Sequence, residues 1–158
     1  MNGIVMSSWI NLRKQSILIG LAVLVGYSSL ASAHSARAVL DAAGNNANFT
    51  ALARVTCFND GSGNAAYLTA RVRDNSPAVT GLLINVQLLK GTMAISATDA
   101  VSGDASYSDA IALPAGNGVY TMMLNKTLAG ARSFDIEWHC MTADGAHAGT
   151  DIIVDQFK

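Results

Sequence analysis

The chain has 158 residues, 51% of them hydrophobic and only 13% charged, about half the charged share usual for a globular protein. That balance excludes an intrinsically disordered chain, which would carry more charge and less apolar surface. A formal net charge of −1, from 10 basic and 11 acidic residues, also excludes a polybasic surface for nucleic acid or anionic lipid.

Arg13 and Lys14 precede an apolar run from Ile17 to Val25, and the small-residue site Ala31-Ser32-Ala33 follows. Positive flank, short hydrophobic stretch and A-x-A ending are the three parts of a cleaved secretory signal, here residues 1–33. The run is too short to span a bilayer, which needs about 20 apolar residues, so no membrane anchor is expected. Processing leaves residues 34–158, the size of a single domain with one core. It also removes two basic residues and no acidic one, so the mature chain is more acidic than its precursor. The expected location is periplasmic or secreted.

Residues 49–57, 67–73, 82–89, 119–124, 133–140 and 151–154 alternate apolar with polar side chains, the period of half-buried strands. Asn59-Asp60-Gly61-Ser62-Gly63, Asp74-Asn75-Ser76-Pro77 and Pro114-Ala115-Gly116-Asn117-Gly118 mark turns between them. A polar loop is expected over about residues 98–109, with Asp99, Asp104 and Asp109 as solvated turn acids. Leu83 and Leu89 fall on the outward phase of their strand and are expected to be exposed. The chain therefore reads as all-β, an immunoglobulin-like β-sandwich of about seven or eight antiparallel strands over residues 34–158.

Cys57 and Cys140 are the only two cysteines. Cys57 shares its strand phase with Ala51, Ala53 and Val55, and Cys140 shares its own with Phe134, Ile136 and Trp138. Both sulfurs therefore point inward, and an oxidising compartment favours a core disulfide between them. Met93, Met122, Met123 and Met141 lie in or beside apolar strands and read as packing residues.

No G-x-S-x-G, P-loop, H-E-x-x-H or dinucleotide fingerprint occurs, so the common enzyme signatures are absent and a role without turnover is expected. The three histidines, His34, His139 and His147, carry what chemistry the sequence suggests. Cleavage after Ala33 makes His34 the first mature residue, offering its α-amine and its ring Nδ1 to one metal ion. The amine titrates near pH ~7.8, so it deprotonates at little cost near neutrality. One further imidazole completes a planar three-nitrogen set, which suits the tetragonal preference of Cu(II).

The carboxy-terminal segment Phe134-Asp135-Ile136-Glu137-Trp138, followed by Asp144-Gly145-Ala146-His147 and Gly149, resembles the closing hairpin of the CopC-type periplasmic copper-binding proteins. That family begins with histidine and ends on an aromatic-x-Val-x-Trp strand, an Asp-Gly-His turn and a glycine before the last strand. Here Ala146 stands between Gly145 and the histidine. The resemblance implies Cu(II) held by His34, Asp144 and His147, for storage, sequestration or delivery to a copper transporter or cuproprotein. His139 lies on the outer strand face beside Asp135 and Glu137, and is the alternative second imidazole. A different function, a metal-free adhesion or assembly module acting on copies of itself through a strand edge or sheet face, fits the same low charge.

Overall fold

The computed structural model describes residues 34–158, and the signal-peptide reading of residues 1–33 lies outside them. Nine strands and no helix occur among the described residues. They are β1 (His34–Leu40), β2 (Thr50–Phe58), β3 (Tyr67–Asp74), β4 (Ile84–Lys90), β5 (Met93–Asp99), β6 (Ile111–Leu113), β7 (Gly118–Lys126), β8 (Arg132–Met141) and β9 (Gly149–Phe157). Two antiparallel sheets form, a four-stranded one in the order β1-β8-β3-β6 and a five-stranded one in the order β5-β4-β7-β2-β9.

Alternation builds the core. In β2, Ala51, Ala53, Val55 and Cys57 are buried while Arg54 and Phe58 face solvent. Leu68, Ala70 and Val72 of β3 and Ile84, Val86 and Leu88 of β4 do the same from opposite sheets, and all join one apolar cluster. The Cys57–Cys140 disulfide ties β2 of one sheet to β8 of the other, as the shared inward phase predicts.

Three expectations need correction. The count is nine strands rather than seven or eight, because β1, β5 and β6 lack a clear apolar alternation. The loop expected from residue 98 begins later: β5 runs through Asp99, whose side chain is buried at 4% exposure and accepts the Asp74 N–H at 2.6 Å. Leu83 and Leu89 are half-buried rather than exposed.

Of the buried charged groups, all but Asp99 are in ion pairs. Lys126 and Asp41 meet at 2.8 Å, both essentially without solvent contact. Arg132 reaches Asp74 at 3.3 Å and donates to the Pro77 carbonyl at 2.6 Å. On the outer face of the four-stranded sheet, Asp135 receives both Arg37 and Arg73 at 2.6 Å, and Arg71 pairs with Glu137.

Candidate functional site

The pairing of β1 with β8 decides where the first histidine sits. His34 heads β1 and stands directly opposite Trp138, with unbroken register from there to Leu40 opposite Arg132. Its ring centroid lies 6.2 Å from that of Trp138 and 6.3 Å from that of His139.

A tight turn brings the third histidine back. The Thr142 N–H donates to the Ala146 carbonyl at 2.8 Å, and the Gly145 N–H donates to the Thr142 carbonyl at 3.1 Å. Gly145 holds φ +84, a left-handed conformation that glycine adopts without the penalty a Cβ would bring. His147 then forms an antiparallel bridge opposite Met141, and the Ala148 N–H donates to the Cys140 carbonyl at 2.8 Å. The His147 ring ends 4.6 Å from that of His139, centroid to centroid.

All three histidines of the sequence therefore gather at one end of the four-stranded sheet. The Nδ1 atoms of His34 and His139 and the Nε1 of Trp138 are buried without a hydrogen-bond partner. Buried polar nitrogens are ordinarily paired, so three unpaired ones in one neighbourhood require an explanation. Burial, reinforced by the neighbouring His147 and His34, pushes the His139 imidazole below its ordinary pKa, while Glu137 opposes the shift. Burial thus favours the neutral form of His139, the form that binds metals. A shallow depression bounded by Thr69, Arg71, Ala110 and Glu137 opens beside it and gives access from solvent.

The ring nitrogens do not converge as placed. Among the described residues, no three His, Cys, Asp or Glu side chains form a group arranged to hold a metal ion. Seating one requires rotation of the rings about their side-chain torsions, which are broad for imidazoles.

Asp144 belongs to the same turn. Its carboxylate accepts the Thr142 hydroxyl, which itself accepts the Ala146 N–H at 2.9 Å. The Thr142 hydrogen bond, aided by the Ala146 N–H, holds this exposed carboxyl below its usual pKa. Asp144 thus shapes the turn that delivers His147, and His139, the alternative second imidazole of the sequence reading, lies beside His147. The outward phase of Asp135, Glu137 and His139 was the signal for this. What sequence alone lacked was the turn that lays His147 against the same face. Compared with known proteins, the chain matches no family model, no curated protein and no solved structure.

Proposed function

We propose that the protein is an exported, immunoglobulin-like β-sandwich that binds Cu(II) through His34, His139 and His147, for storage, sequestration or delivery to a copper transporter or cuproprotein. One observation carries the reading: every histidine in the chain lies in one cluster, and two of them keep a buried Nδ1 without a partner. Three imidazoles form a nitrogen-rich donor set of the kind Cu(II) prefers, and carboxylate is not needed to complete it. Once processing frees the His34 amine, that residue adds a second nitrogen beside its ring. The resemblance of the closing hairpin to CopC-type proteins supports the same metal, and the disulfide suits an oxidising compartment.

The experiment is a Cu(II) titration at pH 7 on protein whose amino terminus has been fixed by intact mass. The expected result is one Cu(II) per chain with nitrogen coupling in its electron paramagnetic resonance spectrum. Absence of stoichiometric uptake by correctly processed protein removes the reading.

A second reading, the metal-free assembly module, draws support from a different place. Edge strands β1 and β9 each leave one side unpaired, and an apolar groove lined by Ala36, Ala38, Phe134, Trp138, Val154 and Phe157 runs between the sheets there. Val154 and Phe157 remain 63% and 43% exposed, an edge on which a second copy could add a strand. Sedimentation across a wide concentration range tests it, and a monomer throughout would dismiss it.

A further inference from the structure

We propose that the outer face of the four-stranded sheet binds a small oxyanion, a carboxylate or a phosphate, between Arg37 and Arg73. The site is separate from the histidine cluster, since no histidine lines it.

Register builds the site. Arg37 of β1, Asp135 of β8 and Arg73 of β3 stand directly opposite one another across three adjacent strands. Residues opposed in this way project to the same face, so the three side chains meet above the sheet. Arg37 donates from Nε to one Asp135 oxygen at 2.6 Å and from Nη2 to the other at 2.9 Å. Arg73 donates from Nε and Nη2 to that second oxygen, at 2.9 Å and 2.6 Å. Both guanidinium groups thus close on a single carboxylate oxygen. The Asp135 side chain beneath them is 10% exposed, whereas those of Arg37 and Arg73 are 68% and 31% exposed. The neighbouring row differs in one position: Ser35 stands opposite Glu137 where Arg37 stands opposite Asp135. A depression of about 400 Å³ lies there, with Ser35, Arg37, Arg73 and Tyr107 around Asp135 and Glu137.

Charge and donor geometry choose the ligand. Asp135 neutralises one guanidinium but receives two, which leaves one positive charge at the depression. Arg71 pairs with Glu137, so the other carboxylate that lines it is already neutralised. The surplus charge attracts an anion, although acidic residues outnumber basic ones across residues 34–158. The bonds to Asp135 use Nε and Nη2 alone, and Nη1 of neither arginine donates a hydrogen bond among the described residues. A guanidinium carries five N–H donors in a planar fork that matches the oxygens of carboxylate and phosphate. These donors are held in place before any ligand arrives. Asp135 fixes both groups, and the Arg73 Cζ packs 4.6 Å from the centre of the Tyr107 ring. Such preorganisation lowers the ordering cost of binding.

The test titrates inorganic phosphate and citrate, separately, into the processed, metal-free chain at pH 7 and low ionic strength, followed by amide NMR spectra. Saturable shifts at Ser35, Arg37, Arg73 and Tyr107 with either probe are the expected result. The probe that binds more tightly tells phosphate from carboxylate. Arg37→Gln should weaken that binding roughly tenfold or more, the scale of losing a hydrogen bond to a charged group. Arg37 is largely exposed and Asp135 keeps Arg73, so the variant is expected to fold, which its thermal melt checks. Arg54→Gln removes the same charge from the other sheet, where Arg54 pairs with Asp155, and should leave binding within about twofold. A wild-type titration with no saturable shift at the depression overturns the proposal and needs no variant to do so. Equal weakening by the two substitutions overturns it as well, because the effect would then follow net charge alone. Neither outcome touches the copper reading, which rests on other residues.

Discussion

The imidazole rings of His139 and His147 lie 4.6 Å apart although they sit on opposite sides of a turn. The Thr142 and Gly145 hydrogen bonds that close this turn are what bring them together, and Asp144 is bound up in the same closure. His139→Ala and His147→Ala are each expected to weaken Cu(II) binding by roughly tenfold or more. Asp144→Asn should change it by about twofold at most, since the amide oxygen still accepts the Thr142 hydroxyl. Competition titrations on the three variants check the order. A larger loss from Asp144→Asn than from His139→Ala would restore the carboxylate as a ligand.

Strands whose inner faces are fully covered were legible in the sequence, and of the edge strands only β9 was, in part, as residues 151–154. β2, β3, β4 and β8 each bury one face completely, so their apolar residues fall at every second position. β5 reads Met-Ala-Ile-Ser-Ala-Thr-Asp and stays mostly exposed on both faces, so burial imposes no alternation on it. β1 carries alanines at the open side of the sandwich, and β6 is three residues long. His34 was recognisable because it follows a small-residue cleavage motif, and His147 because it lies in a turn. Their meeting with His139 depends on the register of β1 against β8 and on the Thr142–Ala148 turn. Neither is encoded in local periodicity, because one strand pairing is as compatible with alternation as another.

The disulfide closes a loop with a sequence separation of 83 and lies wholly inside the core. In the chain-entropy picture a cross-link of that span stabilises by about 4.5 kcal/mol. The double variant Cys57→Ala, Cys140→Ala should lose stability of that order in urea unfolding, together with a clear fall in Tm. A loss below about 1 kcal/mol would mean that the unfolded chain is already constrained in other ways.

Acid should unfold the protein through its paired carboxylates. The Lys126 ammonium, helped by the N–H groups of Asn46, Gly130 and Asn45, holds the Asp41 carboxyl down at about 2. Arg37, with Arg73, holds Asp135 well below the usual carboxylate range. A carboxyl depressed on folding contributes stability that is fully present above its unfolded pKa, near ~3.9, and is lost as pH falls through the folded value. Stability should therefore drop between about pH 4 and about pH 2. Lys126→Met leaves Asp41 buried without its cation and should move the acid midpoint upward, read by circular dichroism along a pH titration. An unchanged midpoint would show that the backbone N–H groups alone keep Asp41 ionised.

Asp99 has the opposite sign. Its carboxylate is buried at the end of β5 near that of Asp74, and the buried Arg132 guanidinium contacts Asp74. Burial pushes the Asp99 pKa up, and the nearby Asp104 and Asp74 charges add to the shift. The N–H groups of Asp74 and Val101 oppose it. The folded chain thus holds this proton more tightly than the unfolded chain does. Stability from Asp99 is present below its unfolded pKa and is lost as pH rises through the raised folded value, so at pH 7 the ionised carboxylate is a net cost. Asp99→Asn removes the charge and keeps an oxygen to accept the Asp74 N–H. The variant should melt a few degrees above wild type at pH 7, with the gap closing toward pH 4 as wild-type Asp99 takes up its proton. Thermal melts of both proteins across that range provide the check. A variant that melts lower at pH 7 would mean that attraction to Arg132 outweighs the cost of burying a second carboxylate beside Asp74.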